Sequence, residues 1–238
     1  MRIFALADLH LSENCDKPMD KFGPRWYRHN LRIREEWLAS VTAEDWVLIP
    51  GDISWGMRLE ESMADLAYIH DLPGQKLLLK GNHDYWWQSL SKTKKAVAKA
   101  GLHSLHFLQH TALNLGERYT ICGTRLWLLP DDQRFTTKDE KILMREYSRL
   151  KLTLEAAKKI RGERELLFMS HYPPLSKNLE ATEISDSLKK YGVSKAIFGH
   201  IHNADSPYCI SDFMLEGISY NLVAADHLQF KPLLIAEE

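Results

Sequence analysis

Five short clusters of acidic, amide and imidazole side chains are strung along the 238-residue chain, each where an apolar run ends. In order they are Asp8-Leu9-His10, Gly51-Asp52, Gly81-Asn82-His83-Asp84, Ser170-His171 and Gly199-His200-Ile201-His202, after apolar runs at 3–7, 47–50, 76–80, 165–169 and 196–198. Asp, His and Asn are side chains that bind divalent metals of intermediate hardness. Five such clusters at successive strand ends imply one polar site along one edge of a sheet, and the residue types point to a two-metal hydrolase. Two metals roughly 3.5–4 Å apart can bind phosphoryl oxygens, hold a hydroxide in line and neutralise developing charge. That separation demands a bridging anion, for which Asp52 is the candidate. Asp8, His10 and His202 would complete one shell, and Asn82, His171 and His200 the other. The His-x-His spacing puts His200 and His202 on the same side of an extended segment, where each can serve a different metal.

The elements needed to position these residues follow from periodicity. Strands are expected at 2–7, 46–49 and 76–79, with helices at 30–41, 57–70 and 89–100 between and after them. In the first helix Leu31, Arg34, Trp37, Leu38 and Val41 are expected on one side. Residues 8–29 read as a long polar loop. Short strands at 104–108, 112–115 and 119–122 follow, then a highly charged helix at about 138–160. A strand at 165–169, a helix at 184–191 and a strand at 196–198 come next, and strand-like pieces at 208–210, 213–216, 219–223 and 232–235 close the chain. This is an α/β order at the start with an antiparallel tendency at the end, which implies two packed sheets flanked by helices. In an open α/β sheet, ligands gather outside the carboxyl ends of the strands, where every cluster here lies. Gly51, Gly81 and Gly199 each precede a ligand-type residue, as a sharp turn or a close backbone approach requires.

Bulk properties narrow the classes. The length suits one large domain, 1–238, with about 131–161 either a helical excursion over the site or a solvated cover for a sheet. A formal net charge of −1, from 31 basic and 32 acidic residues, supplies no global field for nucleic acid or an anionic membrane. Cys15, Cys122 and Cys209 form neither a disulfide framework nor a CxxC pair and fit a reducing cytoplasm. The opening MRIFALADLHLSE reads as a buried strand rather than a signal segment, because Asp8 interrupts it. No apolar run approaches the roughly 18–20 residues of a membrane span.

The set D-x-H, G-D, G-N-H-D, H and G-H-x-H, in this order and with long gaps, resembles the calcineurin-like metallophosphoesterase superfamily. The clusters reach from residue 8 to residue 202, so the resemblance covers most of the chain. It implies a four-layer αββα sandwich of two mixed β-sheets flanked by helices, with a dinuclear site on strand-end loops. It also implies Asp8, His10, Asp52 and His202 on one metal and Asp52, Asn82, His171 and His200 on the other. His83 would face the substrate and protonate the leaving oxygen, with Asp84 orienting its imidazole.

Taken singly, each of these residues has a plain structural explanation as a turn cap or a satisfied core histidine; five in order do not. Trp55 and Tyr172, beside the motifs, are candidates for stacking on substrate, although packing is the commoner role of such rings. Arg125, in Gly123-Thr124-Arg125, is a candidate phosphate fork. The expected function is a metal-dependent phosphohydrolase cleaving a phosphomonoester or phosphodiester. Attack would come in line from a metal-bound hydroxide, with His83 as general acid. Two divalent ions are expected per chain, with manganese placed first and Fe, Zn, Co and Ni also compatible. The partner would be a small phosphorylated substrate rather than nucleic acid or membrane. The alternatives are a catalytically weak metal-binding interaction scaffold and a nuclease on the same fold.

Overall fold

The computed structural model describes residues 1–203, 205–209 and 213–238. Its strands are β1 (Arg2–Ala5), β2 (Trp46–Pro50), β3 (Gln75–Leu79), β4 (Leu105–Leu108), β5 (Ala112–Leu115), β6 (Tyr119–Gly123), β7 (Glu165–Ser170), β8 (Val193–Phe198), β9 (Phe213–Leu215), β10 (Ile218–Leu222) and β11 (Leu233–Glu237). The helices are α1 (His29–Ser40), α2 (Leu59–Asp71), α3 (Leu90–Lys99), α4 (Thr137–Ile160) and α5 (Glu183–Lys190). One sheet has the order β11-β1-β2-β3-β4 and the other β5-β6-β7-β8-β10-β9. β1 to β4 run parallel with β11 antiparallel at the edge, and β6, β7, β8 and β10 run parallel between antiparallel β5 and β9.

The two-residue period of the strands builds the layers. Ile3, Ala5, Leu48, Leu77 and Leu79 of the first sheet meet Ile121, Leu167, Met169 and Ile197 of the second in one buried layer. Their neighbours point the other way. Phe4, Val47, Ile49 and Leu78 pack with Ile33 and Trp37 of α1, Leu66 and Ile69 of α2 and Val97 of α3. Phe168, Ala196 and Phe198 pack with Leu143, Leu150 and Leu154 of α4 and Ile184 and Leu188 of α5. The result is the four-layer αββα sandwich of two mixed sheets. Both sheets are covered on both faces, so their central strands read as near-continuous apolar runs.

Three local expectations change. Helix α1 buries His29, Ile33 and Trp37, while Leu31 and Leu38 stand 45% and 53% exposed. The inward stripe is the i, i+4 series through Ile33, Trp37 and the capping Val41, and the polar composition of the helix blurred it. Residues Pro207–Cys209 form a 3-10 turn rather than the strand expected over 208–210. Proline fixes φ and has no amide hydrogen to give a ladder; Ile210 lies outside the described residues. The loop expected at 8–29 contains two 3-10 turns, Met19–Phe22 and Pro24–Trp26, which place Met19 and Trp26 in the core.

Candidate metal centre

The five clusters meet at the carboxyl edge shared by the two sheets. Asp8 and His10 follow β1, Asp52 follows β2, Asn82 and His83 follow β3, His171 follows β7, and His200 and His202 follow β8. Backbone bonds register the loops: Asp8 N donates to Gly51 O at 3.0 Å, His10 N to Asp52 O at 3.0 Å and Gly199 N to His171 O at 3.1 Å. Gly51 turns at φ 95°, and a Cβ there would lie 2.6 Å from His171 Nδ1 and 2.7 Å from Gly81 Cα. Asp8, His10, Asp52 and His200 adopt left-handed φ values of 58°, 46°, 53° and 70°. Such backbone in a residue with a side chain costs on the order of 1 kcal/mol or more, and it concentrates where function over-determines geometry.

The side chains converge with too few donors. His171 Nδ1 lies 3.0 Å from the carbonyl of Pro50, a bond only an Nδ1–H can make. That tautomer leaves a lone pair on Nε2, which faces Asn82 Oδ1 at 2.6 Å and Asp52 Oδ2 at 3.4 Å. His200 Nδ1 lies 3.1 Å from the same Asn82 oxygen and 3.3 Å from His171 Nε2. Acceptors crowded this closely require a cation or shared protons between them. On the other side, Asp8 Oδ1 is buried with no hydrogen-bond partner among the described residues, 3.8 Å from His202 Nε2. His10 Nε2 is 3.9 Å from Asp52 Oδ2. Among the described residues two groups have ligand atoms within 4.8 Å of one another, Asp8-His10-His202 and Asp8-Asp52-His171; Asp8 is common to both, and Asp52 reaches the first through His10 at 3.9 Å.

Electrostatics agree with this donor set. Burial pulls His10 and His200 well below the ordinary imidazole range, and His171 down to about 3. These rings are therefore neutral, the form that ligates metal. Burial likewise pushes Asp8 and Asp52 up despite the amide of His200 on one and that of His83 on the other. His202 differs. Burial lowers it, but the Asp226 carboxylate 2.8 Å from Nδ1, and Asp8 behind it, outweigh burial and raise it.

Asp84 does not orient the His83 ring. Its buried carboxylate accepts from the amides of Gly81, Asp52, Ile53 and Ser54 and from Trp86 Nε1, at 2.8 to 3.2 Å. Among the described residues no hydrogen bond joins it to the imidazole of His83. The loop after β2 folds around this carboxylate, which is thereby saturated; burial and the neighbouring Asp52 still lift it to about 6. The His83 ring instead lies 4.6 Å from Trp55, whose own ring stacks on His10 at 4.8 Å. With Met19, Phe22, Arg25, Trp26 and His202 they line an aromatic cup of about 300 Å³ that opens beside the ligands. Tyr172 is buried against His200, with ring centroids 4.0 Å apart and the planes tilted by 38°. The Arg125 guanidinium lies over Trp127, 4.5 Å from its ring centre, and 3.7 Å from Glu146. The Arg125 carbonyl accepts from the amides of His171 and Tyr172.

Asp226 escaped the sequence reading. It follows Val223-Ala224-Ala225, an apolar run past β10, so it obeys the same strand-end rule as the ligands. It holds His202 on one side and Arg25, at 3.2 Å, on the other.

A four-layer αββα fold with buried carboxylates and neutral imidazoles at one strand edge defines a metal-binding hydrolase class. A model of the calcineurin-like phosphoesterase family matches residues 1–204, and the chain belongs to that family, whose members use a dinuclear divalent metal centre. It is a metal-dependent phosphohydrolase. Phosphopantetheinyl hydrolase from Mycobacterium tuberculosis shares the fold with a TM-score of 0.62 at 13% identity, over 100% of this chain and 96% of that one. A Thermus thermophilus protein, TT1561, does so at 0.59 and 13%, over 97% and 96%. AQ665 from Aquifex aeolicus, a protein of unknown function, does so at 0.51 and 16%, over 98% and 94%. No curated protein matches the sequence significantly. No helix among the described residues is long and apolar enough to cross a membrane.

Proposed function

We propose that this chain is a dinuclear phosphoesterase acting on a small phosphorylated substrate, a phosphomonoester or phosphodiester. The observation that carries the reading is the crowding of Asn82 Oδ1, His171 Nε2 and His200 Nδ1 within 3.3 Å of one another beside the Asp52 carboxylate. Asp8, His10 and His202 would hold one ion, Asn82, His171 and His200 the other, with Asp52 between them. Two ions there would polarise the phosphoryl group and acidify the attacking water. Manganese is our first choice for this mixed nitrogen and oxygen set.

The protein's own groups complete the chemistry. Asp226 fixes which nitrogen of His202 points at Asp8, and the Pro50 carbonyl does the same for His171. His83 projects between the ligands and the cup, with its amide anchored to Asp52 Oδ1 at 2.8 Å. From there its ring would give a proton to the departing oxygen. The cup, walled by Trp55, Trp26 and Phe22, would take the organic part of the ester against apolar and planar surface. We read residues 1–238 as one domain, with α4 as cover for the second sheet. Three unpaired cysteines support a cytoplasmic setting.

The test is a metal-by-substrate screen. Protein loaded with Mn, Fe, Zn, Co or Ni would be assayed on an aryl phosphomonoester, an aryl phosphodiester and a phosphopantetheinyl ester. Turnover that tracks two bound ions per chain is expected. Protein holding two ions and inert on every ester would overturn the reading.

A further inference from the structure

A second cavity lies on the same strand-end edge, on the β4 side of the ligands. It measures about 260 Å³, smaller than the ~300–1,000 Å³ of pockets for drug-sized ligands, and so suits a compact group. Lys80 enters it from the end of β3, Gln109 and His110 from the end of β4, Thr124 and Arg125 from the end of β6, and Arg145 and Arg149 from α4. Among the described residues four cations line it and no carboxylate does. Buried Glu146, behind its wall, is occupied: it accepts from Thr124 Oγ1 at 2.8 Å and Arg149 Nη1 at 2.6 Å, and leaves Arg125 at 3.7 Å.

The cavity is also where polar groups go unanswered. Among the described residues eight buried side-chain nitrogen or oxygen atoms have no hydrogen-bond partner. Two, Asp8 Oδ1 and His10 Nδ1, are in the metal centre. Four belong to residues lining this cavity: Trp87 Nε1, Gln109 Oε1, His110 Nδ1 and Arg125 Nε. Trp87 Nε1 and Arg125 Nε can only donate, His110 Nδ1 donates in one tautomer, and the Gln109 amide can turn its NH2 inward. These four atoms are shielded from water where they stand, so they make the wall behind the cavity polar without themselves reaching its space. His110 is also held at a left-handed φ of 55°.

We propose that this cavity binds a phosphate-type oxyanion beside the reaction site, supplied as a second anionic group of the substrate or as free phosphate. Four cations with no carboxylate among them match a tetrahedral anion, and arginine's planar fork suits it best. The two sites share walls: Lys80 directly precedes the Gly81-Asn82 turn, and the Arg125 carbonyl holds the amides of His171 and Tyr172. Assigning the anion to the substrate rests on the phosphoesterase reading; the existence of the site does not.

The metal-loaded enzyme would be crystallised and soaked in tungstate, a heavy phosphate mimic. An anomalous peak in the cavity, within hydrogen-bond reach of the Arg125 or Arg145 guanidinium, besides any at the metal centre, is expected. A peak at the metal centre alone, or none at all, overturns the proposal. Arg145→Gln, an exposed change on α4, should abolish the cavity peak, and Arg145→Lys should retain part of it. Kinetics then separate the sources. If the substrate supplies the anion, kcat/KM for an ester bearing a second phosphate should exceed that for its singly phosphorylated counterpart, and Arg145→Gln should cut that ratio about tenfold. If free phosphate supplies it, the ratio stays near one, and inorganic phosphate should modulate the wild-type enzyme in a manner Arg145→Gln abolishes. Neither response would overturn a functional site even with tungstate bound. A cavity peak in an enzyme inert on every ester would sink the phosphoesterase reading alone.

Discussion

Strand β2 is bounded by two aspartates with equal burial and opposite surroundings. Asp45, before its first residue, is 2% exposed, and Asp52, beyond its carboxyl end, is 1% exposed. Around Asp45 the protein supplies donors in full: Arg2 N and Nη2, Thr42 N and Thr42 Oγ1, all between 2.6 and 2.9 Å. Burial pushes that carboxyl up, but Arg2 and the Thr42 amide more than offset it and hold the pKa at about 2. Asp52 has the amide of His83 on one oxygen and an imidazole nitrogen 3.4 Å from the other, and burial raises it. A strand's amino edge can be closed with protein groups alone. Its carboxyl edge, here, is built so that something positive must come from outside. Asp84 sharpens the contrast, because it shares a loop with Asn82 and His83 yet its carboxylate is as fully satisfied as that of Asp45.

That contrast separates changes that empty the site from changes that loosen the fold. Among changes that leave both ions in place, the largest expected effect comes from His83→Ala. It should leave two ions bound and slow cleavage of an alkyl phosphate ester by about 10²–10⁴-fold, the usual worth of a general acid. Turnover unchanged on that ester, with the metal retained, would remove His83 from the proton-transfer role. Next is Asp226→Asn, which keeps the shape around His202 but removes the charge from Nδ1. Metal affinity should fall about 10–100-fold, as for other carboxylate partners of ligating histidines, with little change in melting temperature. Equal affinity by competitive chelator titration would show that Asp226 serves only Arg25.

At the other end of β2, Asp45→Ala should cost about 2 kcal/mol, the equivalent of lowering the pKa from 3.8 to about 2. A carboxyl whose folded pKa lies below its unfolded one stabilises the fold above the unfolded value, near pH 4. That contribution fades as pH falls towards 2, so the variant and the parent should converge in denaturant midpoint at about pH 2 and diverge at neutral pH. A constant gap across that range would contradict the assignment. Metal content should not change. The smallest effect is expected from Trp55→Ala, about a tenfold rise in KM for an aryl ester with kcat nearly constant. A rise equal for aryl and methyl esters would mean that Trp55 only props His10.

The sequence made much of this visible because both sheets are covered on both sides. Continuous apolar runs such as 47–50 and 165–169 could be neither surface strands nor turns, and the polar residue ending each run marked the edge. Helix α1 was less readable, since Leu31 and Leu38 are apolar yet exposed, and only packing against the sheet selects Ile33 and Trp37. The part played by Asp84 was hidden for a different reason. Its partners are mainly backbone amides, which carry no residue signature, and the adjacent His83 offered a more familiar pairing. Asp226 could have been found by extending the strand-end rule past residue 202. The basic cavity could not, because Lys80, Arg125 and Arg145 come from different elements and only the fold brings them together.

The central claim is that Asp52 stands between two ions. The most direct measurement is the metal content of Asp52→Ala, by elemental analysis of folded protein, beside its activity. The account predicts loss of at least one of the two ions per chain and of measurable phosphoesterase turnover, with the cooperative unfolding transition preserved. Two ions still bound to a folded Asp52→Ala chain would contradict it.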